Sequence, residues 1–417
     1  MADLDGSYLL PLDNQAIAYA KTPSNDAAAQ LGRRLAERQT RLTYDSDHGY
    51  LLSLLEELDI PLSSQVLVFS KTSFQAPRIS PRTPRAIYFN DTVAVGMVRG
   101  GDVLELSAYD PRLGAVFYTL DQERGVPKVT RRDDCLQCHQ ASGTLGVPGN
   151  VVRSVHPDHR GMPISQLGSF ITDHRSPLKE RWGGWYVTGT HGDQVHLGNV
   201  APPPDADAAA GFDFTSGGNL SDLRWKFDTG AYPSPHSDIV ALMVLEHQVR
   251  MQNLITRVNF ETRMALAEQA ALSAALGAPK DEFGTSTRRR IEGPAEYLVR
   301  YMLFTDEALL EGRIEGTSTF ARDFRARGPE DAQGRSLRDF DLEKRLFRYP
   351  LSYMIYSEAF DALPEAARSF VYRRLWEVLS GRDDSPAFAR LTTADRKALL
   401  KILRATKPGL PDYWKNR

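Results

Sequence analysis

The chain has 417 residues, a formal net charge of −2 and only two cysteines. That charge balance gives no electrostatic case for a nucleic-acid partner, and no stretch approaches the apolar length of a transmembrane segment. An apolar fraction of 41% supports a real core, and the length suggests two or three domains.

The first section, residues 1–125, mixes helix and strand. "SNDAAAQLGRRLAERQTRL" offers Ser24, Asn25 and Asp26 as helix caps, and "HGYLLSLLEELDIP" is a second short helix stopped by Pro61. The period then changes. "SQVLVFSKTS", "RAIYFNDTVAVGMVRGG", "DVLELSAYD" and "GAVFYTLDQ" are short, rich in Val, Tyr and Phe, and punctuated by turn residues. They predict an antiparallel meander. Residues 126–236 are loop-rich, with one hairpin-like stretch, "ERWGGWYVTGTHGDQVHLGN", and a polar Pro/Gly loop, "APPPDADAAAGFDFTSGGNLSD". Residues 237–417 are helical. A long helix, or two in line, opens at Ser237 and Asp238 and ends at Gly277, and three further capped helical stretches follow. The fold class expected is α+β: a β-rich N-terminal part, a loop-rich middle and an α-helical C-terminal part.

The cysteines stand together in "RRDDCLQCHQ", residues 131–140. A C-x-x-C serves as a redox dithiol, as half of a zinc site or as a covalent haem anchor. A dithiol needs one acidified thiol and has no use for the histidine that follows. Structural zinc takes its thiolates in two pairs, and there is no second pair. Cys135, Cys138 and His139 as a three-ligand zinc site would crowd three donors into five residues. The haem reading uses all three: the thiols add to the two vinyl groups, and the adjacent imidazole reaches the iron from one face.

On these residues the chain resembles a c-type cytochrome. The likeness is closest over Cys135 to His139 and extends into the Gly-rich "ASGTLGVPGN" behind it. "SPLKERWGGWYVTGTHG" and "YPLSYMIYSEAFDALP" are similar to stretches of large bacterial single-haem cytochrome-c-domain proteins, a likeness that spans most of the chain and brings no known reaction with it. The resemblance implies one covalent haem c on Cys135 and Cys138, with His139 as the proximal iron ligand. It also implies export, because haem c is attached outside the cytoplasm in bacteria. "MADLDGSYLLPLDNQ" has neither a basic start nor an apolar run, so the expectation is a periplasmic or otherwise exported protein whose leader has been removed.

The group on the other side of the iron decides the chemistry. A strong sixth ligand makes an electron-transfer centre, and an open position admits peroxide or oxygen. The candidates are Met162 in "HPDHRGMPI" and the histidines His156, His159, His174, His191 and His196, with imidazole slightly ahead of thioether. His247 lies on the long helix in a stripe with Val240, Met243, Val244, Met251 and Leu254, beside a polar stripe of Glu246, Arg250, Asn253 and Arg257. That pattern reads first as a core histidine, and second as His247 and Arg250 doing acid–base work on haem-bound peroxide. Trp182, Trp185 and Tyr186 are candidates for packing on the porphyrin, with ordinary packing within their own stretch the first expectation. Two functions stay open: a monohaem electron carrier serving a redox partner protein, and a haem peroxidase or oxygenase acting on a small-molecule oxidant. Two-haem bacterial peroxidases carry a second C-x-x-C-H, which this chain lacks.

Overall fold

The computed structural model describes residues 8–203, 212–277 and 283–415. Helices α1 (Ala27–Ala36) and α2 (Leu51–Glu57) precede the strands β1 (Val66–Val68), β2 (Arg85–Phe89), β3 (Val93–Met97), β4 (Val103–Asp110), β5 (Gly114–Asp121) and β6 (Val129–Arg131). Asp26 starts α1 by accepting hydrogen bonds from the N–H groups of Ala28 and Ala29, which satisfies two of the donors a helix start leaves open. Strands β1 to β6 form the expected antiparallel meander, and β9 (Trp185–Tyr186) joins at the β1 edge to make seven strands in the order β6-β5-β4-β3-β2-β1-β9.

The two faces of this sheet differ. On the inner face Leu104, Leu106 and Ala108 of β4 are buried with Tyr88, Val95 and Leu120, packed beneath Leu31, Leu51 and Leu54 of the first two helices. On the outer face Val103, Glu105, Ser107 and Tyr109 are only half-buried. The period-2 alternation is the reason one strand presents such different sides. Near β1 and β2 the outer face is covered, since Val66, Val68 and Phe89 belong to the apolar cluster built by the C-terminal helices.

After β6 come a single-turn helix α3 (Leu136–His139) and a separate antiparallel pair, β7 (Val152–Val155) with β8 (Ser169–Thr172). The stretch read as a hairpin is not one. Its two short strands, β9 and β10 (Gly189–Thr190), pair with β1 and with β11 (Glu315–Gly316). Trp182, at φ +68, sits in the left-handed region just ahead of β9. Non-local pairing has overridden the local turn signal.

The C-terminal part is helical: α4 (Ile239–Leu276), α5 (Thr285–Met302), α6 (Phe320–Ala326), α7 (Glu358–Asp361), α8 (Glu365–Leu379) and α9 (Thr393–Thr406). The long helix is single and unbroken. Asp238 caps its start through Val240 and Ala241, and Gly277 ends it at φ +66, where glycine carries no Cβ penalty. Thr392 and Asp395 form the capping box of α9. Residues 239–262 of α4 are buried on every side. Most of its apolar side chains feed the helical cluster while Phe260 joins the cluster under the sheet, and three of its polar ones are used on backbone carbonyls: Gln248 on Asn90, Gln252 on Asp91 and Asn253 on Asn150. The fold is thus α+β, with a sheet-rich N-terminal half and a helical C-terminal half. Among the described residues no helix is long and apolar enough to cross a membrane.

Candidate cofactor site

Strand β6 delivers the chain to the surface, where Arg131 and Arg132 pair with Asp133 and Asp134 at 2.8 Å each. The one-turn helix α3 follows. Cys135 and Cys138 lie three residues apart and so share one side of that turn. Both thiols are free; Cys138 is exposed and Cys135 half-buried. Burial and the neighbouring Asp134 push the Cys135 thiol up, keeping it protonated at neutral pH.

His139 turns inward. Its ring lies 4.5 Å from that of Phe117 on β5, and its Nδ1 is 2.9 Å from the carbonyl oxygen of Gly149. A carbonyl only accepts, so Nδ1 carries the hydrogen and the lone pair of the neutral ring stands on Nε2. Burial lowers the proton affinity of the imidazole, only partly opposed by the Gly149 bond. A carbonyl on the far nitrogen is how a metal-ligating histidine is normally oriented.

The loop behind α3 is held from two sides. Leu10 donates its N–H to Gly146, and Gln140 reaches back to the Leu10 carbonyl at 2.7 Å. From the other side Arg257 donates to the carbonyls of Leu145 and Tyr8, at 2.8 and 3.0 Å. The polar stripe of α4 is therefore a cradle for the anchor loop. Gly149 fits this cradle closely: a Cβ there would stand 2.0 Å from Asn253 Oδ1. Gly149→Ala is accordingly expected to cost about 1–3 kcal/mol through overpacking and to shift the carbonyl that orients His139. Thermal unfolding of the variant beside the wild type measures this, and an unchanged midpoint would contradict the cradle.

The other sequence candidates fall into separate places. His174 and His247 are buried against each other, Nδ1 to Nδ1 at 2.8 Å, with His247 Nε2 a further 2.8 Å from Ser352 Oγ. Tyr301 and Phe304 stack on His174 at 4.1 and 4.4 Å. Arg250 is buried near Asp173, at 3.8 Å, and reaches the Gly143 carbonyl of the anchor loop. His191 and His196 do face each other, with ring centroids 4.8 Å apart, across a turn rather than a hairpin. Each accepts a backbone N–H, from Asn219 and Gly198 respectively. Trp182 stands on His196 at 5.3 Å, and Trp182, Trp185 and Tyr186 are all buried in the protein core. His156 packs edge-on to Phe212 and Phe214, and His159 accepts a hydrogen bond from Arg160. Met162 is 49% exposed in its loop, whose Gly161 lies against the end of β1 at Phe69.

One feature escaped the sequence reading. Beside the anchor, on the outer sheet face, Arg85 pairs with Glu105, whose Oε1 also accepts from Ser73 Oγ at 2.8 Å and Gln75 Nε2 at 2.7 Å. The signal was present in the meander, where both charges occupy outward positions on the same face.

Two exposed or half-exposed thiols on one turn and a neutral imidazole with a fixed tautomer suit a covalent haem, which asks the protein for one nitrogen and two sulfurs. A bare metal ion asks for more. Among the described residues no group of three or more His, Cys, Asp or Glu side chains is placed to hold one. No family, no curated protein and no solved structure matches this chain.

Proposed function

We propose that the protein is an exported monohaem c-type cytochrome that passes electrons to or from a redox partner. Cys135 and Cys138 would hold the haem: each S–H adds across a vinyl C=C, forming an S–C bond and leaving its hydrogen on the neighbouring carbon, with no net redox change. His139 would supply the proximal nitrogen. Bound haem contributes a one-electron iron couple. The observation that carries the reading is the His139 Nδ1–Gly149 contact at 2.9 Å, which presents Nε2 on the same turn as the only two thiols of the chain. The surface position of α3 favours exchange with a docked protein. For the far side of the iron, Met162 offers the least encumbered donor of the six candidates. A catalytic reading would call on His247 and Arg250 at an open distal site, and both are enclosed in the core.

The test is chemical. Denaturation in acid followed by solvent extraction should leave the haem on the polypeptide, and the mass should exceed that of the chain by one haem. Replacing either cysteine should leave a single thioether, and replacing both should release the haem entirely. His139→Ala should remove the low-spin signal of whatever haem stays attached. Haem that extracts freely from the wild type would overturn the proposal.

A further inference from the structure

We propose that electrons enter and leave the protein across an electropositive surface beside the anchor, built mainly by residues 71–85 and 157–163, and that this surface docks an acidic redox partner. This rests on the haem reading above and adds to it the face used and the charge of the partner.

Two loops make the surface. The one between β1 and β2 reaches the anchor: Ser73 Oγ and Gln75 Nε2 donate to Glu105, and the ring of Phe74 lies 5.8 Å from the Arg132 guanidinium. The Arg132 carbonyl accepts the N–H of Cys135 at 3.4 Å, so Phe74 stands next to the turn that carries the thiols. The second loop is locked onto the first. Lys71 donates its N–H to the Gly161 carbonyl at 2.8 Å, and a Cβ at Gly161 would stand 3.5 Å from Pro81. Asp158 Oδ1 folds this loop by accepting from the N–H groups of Arg160 and Met162. On the other side of the anchor stands β8. A Cβ on Gly143 would come within 2.4 Å of Ile171 Cδ1, and Arg153 of β7 is directly opposite Ile171.

The charge of this surface is one-sided. Residues 71–85 hold Lys71, Arg78, Arg82 and Arg85 and no carboxylate, in a chain whose net charge is −2. Arg78 and Arg85 are neutralised by Asp102 and Glu105. At the anchor, Asp133 and Asp134 are neutralised by Arg131 and Arg132. What is left over is cationic. Lys71 is used on the Ala76 carbonyl, Arg153 on Ser169 Oγ and Arg160 on His159, while Arg82 is exposed. Among the described residues none of these four side chains meets a carboxylate. Against them stands Asp158, the one carboxylate of the second loop.

Inside this cationic ring are two apolar contacts, Phe74 at 59% and Ile171 at 46% exposure. Cys138, also exposed, lies on the chain that runs between their neighbours Arg132 and Gly143. A protein that sets carboxylates around an apolar contact complements both features. Opposite charge of this kind acts first on the encounter rate and is screened by salt.

The test mixes the ferrous holoprotein with one of two oxidants, the anion ferricyanide or the cation tris(phenanthroline)cobalt(III). Each accepts one electron from the ferrous iron, leaving it ferric and becoming ferrocyanide or the cobalt(II) complex. Raising salt from about 0.01 to 0.15 M shrinks the screening length from roughly 30 to roughly 8 Å. Over that range the ferricyanide reaction should slow and the cobalt reaction quicken. Arg82→Glu with Arg160→Glu should slow ferricyanide by about tenfold at low salt and speed cobalt, the differences fading as salt rises. Lys397→Glu with Lys401→Glu makes the same change in net charge at exposed positions of α9 and should stay close to wild type. Arg82→Gln with Arg160→Gln should fall in between, and it decides the matter if the reversed pair folds poorly. Arginine variants that match the lysine control with both oxidants overturn the docking face and leave covalent attachment standing. A wild type without covalent haem overturns both.

Discussion

Glu246→Ala is expected to destabilise the protein by about 3–5 kcal/mol, the usual result of leaving one member of a buried ion pair alone. Glu246 of α4 is fully buried, and Arg181 meets its Oε2 at 3.1 Å with only 3% of its own side chain exposed. Thr172 Oγ1 donates to the other carboxylate oxygen at 2.6 Å. Arg181 also holds the Ser176 and His174 carbonyls, so it cannot swing out to water without releasing that loop. Burial raises the Glu246 carboxyl to about 7, against the pull of Arg181 and Thr172. Glu246→Gln, which keeps the shape and hydrogen bonds, should therefore cost clearly less. Urea unfolding of both variants measures the difference. If the alanine variant lies within about 1 kcal/mol of wild type, where ordinary solvent-exposed pairs fall, the pair is not the strut described.

Acid is expected to unfold the protein steeply below about pH 4.5, for a reason centred on histidine. Burial holds His247 and His196 down to about 3, and His174 well below the ordinary 6.5. The unfolded chain takes up these protons near 6.5, so the stabilisation is complete above that pH and is lost as pH falls. Glu246 and Glu307 work the other way. Burial raises both to about 7 from 4.5, a contribution present at low pH and lost as pH rises through 7. Between 4.5 and 7 the glutamates offset much of the histidine effect. Below 4.5 the unfolded glutamates are protonated too, and three unopposed histidines give a slope of about 4 kcal/mol per pH unit. Replacing His174 and His247 together with leucine removes both ends of their hydrogen bond and should move the acid midpoint downward. The readout is an acid titration by circular dichroism; an unmoved midpoint would show that these rings do not govern it.

The sequence carried most of the secondary structure because the signals were local. Asp26, Asp238 and Thr392 each cap the helix they preface, and the alternation from Leu104 to Ala108 matches the burial of β4 there. What failed was non-local. The strands around Trp185 and Gly189 find partners at Val68 and Gly316, which no window of nearby residues could reveal. The polar stripe Glu246–Arg250–Asn253–Arg257 was legible as a stripe but not as to what it faces, since helical periodicity cannot tell a solvated side from one used on a buried loop. At the proposed site, Cys135, Cys138 and His139 could be named from spacing alone. The Gly149 carbonyl and the Arg85–Glu105 pair were not: the first returns to His139 through the fold of the loop between them, and the second is assembled by sheet register.

The N-terminal strap sets an order of events during synthesis. Tyr8 and Leu10 close over the anchor loop, but their fastenings include Arg257, 249 residues further on, and Glu261, 253 residues further on. A chain emerging amino end first has this loop in place long before those fastenings exist. Loop closure over such separations is slow, and domains are completed only as their last contributing segment appears. The loop behind α3 is thus fastened late, when the middle of α4 arrives, while Cys138 stays exposed even in the finished fold.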